Sequence, residues 1–272
     1  RLAPVRLETD TPLSSATEKF LLKRLDLKPC QSYVTSVPLD MSYAWGLSSM
    51  IDSELARDIT NEPFTPQWPA CFDKKRPIME QVAERDALLA YPYESMDPFI
   101  SLLREAANDP SVFSIKITLY RLASQSHLAE ALVTAAENGK EVTAMVELRA
   151  RFDEQNNIDW SKQLESAGCT VIYGFEDYKV HSKLTLITRK GAEGYSYITQ
   201  IGTGNYNEKT SELYTDYSFI TADERIGEEA SKVFRNLAVQ QLTEESDKML
   251  VAPLRFKSVL LDEMDHLSLI HI

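Results

Sequence analysis

Basic residues are in deficit: 29 Lys and Arg stand against 41 Asp and Glu in 272 residues, a net charge of −12. That balance argues against a constitutive nucleic-acid binder, whose footprint is a basic excess. Cysteine is scarce as well. Cys30, Cys71 and Cys169 are odd in number and far apart, so they make neither a disulfide framework nor a CxxC metal pair, and a reducing compartment is expected. No apolar run approaches the ~20 residues of a membrane span, and the N-terminal stretch lacks the apolar core of a signal peptide. Low-complexity tracts and internal repeats are missing too. The chain opens on Arg1 and ends in the unpatterned stretch His266–Ile272. The expectation is a piece of a larger cytoplasmic protein, without an integral membrane segment and at most peripheral to the inner membrane.

What is present can bury a core: 43% of residues are hydrophobic and 9% aromatic. Residues 1–60 hold two short helical patterns, a capping box at Ser15-Ala-Thr-Glu18 and a run near Leu47–Ile59. Pro63, Pro66, Pro69 and Pro77 then break any regular element, so 61–77 reads as a linker. Beyond it, helix and strand patterns alternate. Helices are predicted over 94–107, 125–138 and 157–167, and strands over Val112–Tyr120, Glu141–Leu148 and Cys169–Tyr173. That order argues for parallel pairing. Tyr178–Thr188, Tyr195–Gly202 and Leu213–Thr221 follow as short-linked, mixed or antiparallel strands, and helices over 223–236 and 255–266 close the chain. The expected fold is α/β, a mixed sheet flanked by helices behind a helical or irregular N-terminal leader. Three parts are expected: 1–77, the end of a preceding domain plus linker; 78–250, a catalytic domain; and 251–272, a helical tail.

Two motifs carry chemistry. In Tyr178-Lys-Val-His-Ser-Lys-Leu-Thr-Leu-Ile187 a β-pattern sends Lys179, His181 and Lys183 to one face and Val180, Leu184 and Leu186 to the other. An imidazole beside ammonium groups has its cationic form disfavoured and stays nucleophilic near pH 7. Alone, this pattern is as well explained by the solvated face of an edge strand. About twenty residues on, Gly202-Thr-Gly-Asn-Tyr-Asn-Glu-Lys-Thr210 follows a strand, and its glycines let backbone approach a ligand while Thr203 and Asn205 line an anion cradle. The pair is far more specific than either half.

HxK on one strand with GTGN after the next resembles the phospholipase-D-like superfamily, in which a histidine attacks phosphorus and Lys and Asn hold its oxygens. The superfamily's acidic residue, separated from the Lys by four residues, falls here on Thr188, which weakens a phosphodiesterase reading. A wider set, in order, is more specific: Arg85-Asp-Ala-Leu-Leu-Ala-Tyr-Pro-Tyr93, Ile117-Thr-Leu-Tyr-Arg121, Val146-Glu-Leu-Arg-Ala-Arg-Phe-Asp-Glu154, Lys179-Val-His-Ser-Lys183, Ile201–Thr210 and Leu213-Tyr-Thr-Asp-Tyr217. Together they resemble the catalytic core of polyphosphate kinase, the large bacterial kind with a phosphohistidine intermediate. The likeness is continuous over about 78–240 and looser over 1–77.

The resemblance implies a phospholipase-D-like catalytic core whose second half lies beyond residue 272, leaving this piece inactive alone. It implies ATP and ADP as nucleotides, inorganic polyphosphate as the polymer, Mg²⁺ carried on the nucleotide without a direct protein carboxylate, and a homo-oligomer. By position, His181 falls on the phosphorylated histidine, Arg121 and Arg151 on arginines associated with the Mg²⁺-bound phosphates, and Tyr214 on a nucleotide-contacting tyrosine. Asp216 falls on an acidic residue that orients a catalytic histidine, either His181 or one elsewhere. Lys183, Asn205, Asn207 and Lys209 are assigned to phosphate holding. The alternatives are a phospholipase-D-like phosphodiesterase and a non-catalytic phosphate-binding module. Net charge does not oppose a polyanion, because 116–216 holds 11 basic and 14 acidic residues and a phosphate site needs only a local focus of positive potential.

Overall fold

The computed structural model describes residues 3–62, 64–149, 154–175, 177–192, 194–244 and 246–270. Contacts divide the chain into two units, Arg1–Phe64 and Thr65–Ile272. In the first, β1 (Leu7–Thr9) pairs in parallel with β2 (Ser32–Val34) around α1 (Ser15–Leu25). Ser14, one residue earlier than the sequence suggests, caps α1 by accepting from the Thr17 amide. Asp26 ends it in the left-handed region, at φ 55°. The predicted run near Leu47–Ile59 is two helices, α2 (Leu47–Met50) and α3 (Ser53–Ile59), because Asp52 accepts from the Glu54 amide and starts a new N-cap.

The second unit is built on seven strands. α4 (Ile78–Glu84) leads to β3 (Ala87–Tyr91), α5 (Asp97–Asn108), β4 (Val112–Leu119), α6 (His127–Glu137), β5 (Glu141–Val146), α7 (Glu154–Ser166) and β6 (Thr170–Tyr173). The hairpin of β7 (Lys183–Gly191) and β8 (Gly194–Gly202) follows. After it come α8 (Glu208–Ser211), β9 (Asp216–Thr221), α9 (Glu224–Ala238) and α10 (Phe256–Ile270). The strand order is β3-β9-β8-β7-β4-β5-β6; β4, β5 and β6 are parallel and all other neighbours antiparallel. This is the expected mixed α/β sheet. α4 and the edge strand β3 were not foreseen: five residues between a helix and Pro92 leave too short a pattern to read.

Alternation along β7 covers both faces. Ile187 joins the large core with Ile115, Ile117, Leu102, Leu128 and Leu132, whereas Leu184 and Leu186 pack with Ala230, Val233 and Phe234 of α9. Gly139 (φ 80°) and Gly168 (φ 94°) end α6 and α7 in backbone that only glycine adopts freely, as the sequence predicts. No helix among the described residues is long and apolar enough to cross a membrane.

Candidate active site

One edge of the sheet gathers the chemistry. β4 and β5 end there at Leu119 and Val146, while β7 and β9 begin there at Lys183 and Asp216 and β8 ends there at Gly202. Lys183 pairs with Gly202, which pairs in turn with Ser218. The carboxyl ends of parallel strands are where open α/β sheets bind ligands.

β7 begins later than the sequence suggests, so Tyr178–Ser182 is not strand and His181 sits in the segment that enters it. Strand alternation therefore does not explain why His181 and Lys183 meet. They meet because Lys183, only 4% exposed, folds back: its Nζ lies 3.1 Å from His181 Nδ1 and also donates to the His181 carbonyl. The edge of the imidazole meets Tyr120, with ring centroids 4.4 Å apart at 75°. The same tyrosine ring takes Lys183 Nζ at 5.1 Å and the Arg121 guanidinium at 5.9 Å. Burial pushes Lys183 down to about 8, against an opposing pull from the Asp216 carboxylate. His181 is lowered from its ordinary value, first by partial burial and then by Lys183, Arg121 and Lys179. Its imidazole is therefore neutral at pH 7.

The entry segment is tied down by side chains. Thr118 Oγ1 donates to the Ser182 carbonyl (2.8 Å) and accepts from the Leu184 amide (3.0 Å). Buried Glu147 accepts from the Val180 amide at 2.9 Å. Arg149 donates to the Phe175 and Tyr178 carbonyls at 2.6 and 2.8 Å, and Lys179 Nζ donates to the Arg149 carbonyl at 2.9 Å. Asn157 Nδ2 bonds the Tyr120 and Glu147 carbonyls, and Asn156 bonds that of Leu122. Helix α7 thus fixes the turn that carries Tyr120 and Arg121.

Opposite lies the Gly202–Thr210 turn. A Cβ on Gly204 would meet the Asp216 side chain at 2.6–2.8 Å, so only glycine lets these segments touch. Thr203 Oγ1 donates to Asp216 Oδ1 (2.7 Å) and accepts from the Tyr217 amide (2.9 Å). Asn205 keeps a buried Oδ1 without a hydrogen-bond partner. Below the turn runs a buried polar chain. Thr185 donates to the Tyr206 hydroxyl, Tyr206 donates to Gln200 Oε1, and Gln200 Nε2 donates to Ser218 Oγ.

The structure therefore brings His181, Lys183 and Arg121 together, with the Thr203–Asn205 turn and Asp216 beside Lys183. Among the described residues Asp216 makes no hydrogen bond to His181; it is held by Thr203. Asn207 caps α8, its Oδ1 accepting from the Lys209 and Thr210 amides. Lys209 is exposed. Tyr214 is 63% exposed and precedes β9 rather than lying in a strand, because pairing of that strand starts only at Asp216. Arg151 lies outside the described residues. Tyr120, Thr118, Glu147, Arg149 and Asn157 were not singled out by sequence reasoning as site residues. Thr118 and Tyr120 lie inside the quoted Ile117–Arg121 motif and Glu147 and Arg149 inside Val146–Glu154, but nothing in those motifs marked them as site residues; Asn157 lies in none.

Fold and site together define a mixed-sheet α/β domain with a cationic, histidine-bearing site at its strand ends. The chain belongs to the polyphosphate kinase family: residues 77–243 match the family model for polyphosphate kinase C-terminal domain 1. A polyphosphate kinase of Staphylococcus epidermidis is 40% identical over 262 residues, 96% of this chain and 35% of the relative. One of Exiguobacterium sibiricum is 44% identical over 214 residues, 79% of this chain and 30% of the relative. The crystal structure of polyphosphate kinase from Porphyromonas gingivalis superposes with a TM-score of 0.67 at 31% identity, covering 79% of this chain and 36% of that one. The chain thus spans about a third of the length of the curated relatives it matches.

Proposed function

We propose that the protein carrying this chain is a polyphosphate kinase in which His181 takes the terminal phosphoryl group of ATP and passes it to the end of an inorganic polyphosphate chain, reversibly. The observation that carries this reading is a neutral imidazole held against Lys183 and Tyr120 beside Arg121, in a chain of this family. Phosphoryl transfer asks for an in-line nucleophile, positioning and charge neutralisation, and this edge of the sheet supplies each. An imidazole nitrogen lone pair attacks the γ-phosphorus, the bond to the β–γ bridging oxygen breaks, and ADP leaves. In the second step the terminal polyphosphate oxygen attacks the same phosphorus and the P–N bond breaks.

At rest, the Lys183 ammonium occupies the Nδ1 lone pair. An arriving polyphosphate or nucleotide draws that ammonium onto its own oxygens, which frees the ring and neutralises the charge in one movement. Arg121, Arg151 and the Thr203–Asn205 turn hold the remaining oxygens, with Asn207 and Lys209 at the outer end and Tyr214 against the nucleotide base. The donors here are cations and amides, which fit phosphate oxygens, and Mg²⁺ carried by the nucleotide would supply further neutralisation of its phosphate charge. Asp216 holds Thr203 and balances Lys183, and its second oxygen faces the turn, where it can orient a histidine supplied from outside this chain. Residues 78–250 are the first catalytic domain, residues 1–77 the end of the preceding one and 251–272 a tail toward a second half. The whole protein is a cytoplasmic homo-oligomer.

Nothing favours the hydrolase. Thr188 lies in β7 paired with Ser114 and Tyr197, five residues and about 16 Å along the strand from Lys183. The test is a His181→Ala variant of the complete protein given γ-labelled ATP. Neither acid-labile, base-stable phosphoprotein nor polymer is expected. Polymer made by that variant would overturn the assignment.

A further inference from the structure

We infer that Glu147 is a positioning residue for transfer at His181, holding the histidine segment against the ends of β4 and β5 through a carboxylate that bonds backbone on both sides. The inference rests on the reading of His181 as nucleophile.

Glu147 directly follows β5 and is 2% exposed. Burying a carboxylate is costly unless it is hydrogen-bonded, so its partners reveal its use. One oxygen accepts from the Val180 amide (2.9 Å), one peptide before His181. The other accepts from the Arg149 amide (2.9 Å), with Arg149 Nε 3.5 Å away. The backbone of Glu147 is committed as well: its amide donates to the Leu119 carbonyl at the end of β4, and its carbonyl accepts from Asn157 of α7. A single residue thus joins β4, α7 and the histidine segment.

Val180 explains why an acid is needed. Its amide is buried, and it precedes β7, so no neighbouring strand can accept from it. An apolar residue at 147 would leave that donor unpaired. Space is tight too, since a Cβ on Gly174 would come within 3.3 Å of Glu147 Oε2. Arg149 adds to the hold by taking the Phe175 and Tyr178 carbonyls. Neither Glu147 nor Arg149 needs to touch a phosphate to act. They set where the imidazole stands relative to Tyr120 and Arg121, and a displacement of about 1 Å costs up to about 10²-fold in rate.

The test is single-turnover phosphohistidine formation in the complete protein. Glu147→Gln, nearly isosteric, offers a donor where Val180 needs an acceptor or turns the amide group round and loses Arg149. We expect at least about tenfold slower labelling, with half-saturation by ATP changed less than about twofold and a cooperative melt retained. Arg149→Met, at a half-exposed position, removes two hydrogen bonds to the segment and should slow labelling at least about threefold. Labelling of the folded Glu147→Gln protein at the wild-type rate overturns the inference. If that variant does not fold, a wild-type rate in Arg149→Met overturns it. An ATP half-saturation that rises in step with an unchanged maximal rate overturns it too, since that marks a binding role. His181→Ala, run alongside, separates the two ideas. Lost label there with a wild-type Glu147→Gln rate sinks the positioning role alone, whereas persisting label sinks the nucleophile and the positioning role with it.

Discussion

The parallel strands β4, β5 and β6 and the antiparallel set β7, β8, β9 and β3 share one sheet but fill their interiors differently. In the parallel part the buried positions are apolar almost throughout: Ile115, Ile117, Val142, Ala144 and Val146 are at most 3% exposed. In the antiparallel part Thr185, Thr199, Gln200, Ser218 and Thr221 are buried just as deeply. Most of these are hydrogen-bonded into the chain beneath the Gly202–Thr210 turn. A satisfied buried network specifies geometry in a way that interchangeable methyl groups do not. The parallel strands supply an apolar platform whose ends (Thr118, Glu147) hold the histidine segment, and the antiparallel part supplies the polar network that positions the Gly202–Thr210 turn.

That contrast can be broken in three ways. Leu132→Ala in α6, fully buried against the parallel part, should cost about 2–5 kcal/mol in urea unfolding while labelling per folded molecule stays at the wild-type rate. A slower rate in the folded fraction would show that the platform also tunes the site. Gly204→Ala forces a Cβ into Asp216 and should cost about 1–3 kcal/mol. Unlike Leu132→Ala, it should slow single-turnover labelling at least about tenfold even among folded molecules. Unchanged labelling there would separate the turn from the chemistry. The smallest effect is in pH. Lys183 must be charged to hold phosphate, and it loses its proton at about 8 in the free site, so kcat/KM should halve by about pH 8. Lys183→Arg should move that limb above pH 10. The acid limb belongs to His181 and lies below its ordinary value of about 6.5, because its folded pKa is lowered. Stability runs the opposite way across this window: a lowered Lys183 disfavours the fold while charged, and the penalty lifts as pH rises from about 8 toward 10.5.

The platform was legible in sequence and the positioning was not. Apolar runs such as Val112–Leu119 and glycines at helix ends mark parallel strands and crossover helices within a dozen residues. HxK and GTGN were legible for the same reason, each being local. The start of β7 was misread because Tyr178–Ser182 alternates like a strand, yet the Val180 amide goes to a side chain rather than to a neighbouring strand. The roles of Glu147, Arg149, Thr118 and Asn157 were not readable, even where a quoted motif contained the residue, because each acts on backbone 10 to 66 residues away. Tyr214 resembles a strand aromatic by pattern, but pairing begins two residues later, which leaves its ring in solvent.

The Thr118 hydroxyl has one further consequence. It gives its proton to the Ser182 carbonyl and receives one from the Leu184 amide, so it reads both ends of a single step of chain. Were the histidine segment to slide by one residue, that hydroxyl would face mismatched groups, and the side chains of Lys183 and Leu184 would exchange faces. The hydroxyl acts as a phase mark. The lysine turns to the histidine and the leucine enters the core because there is one setting in which this small group is satisfied twice.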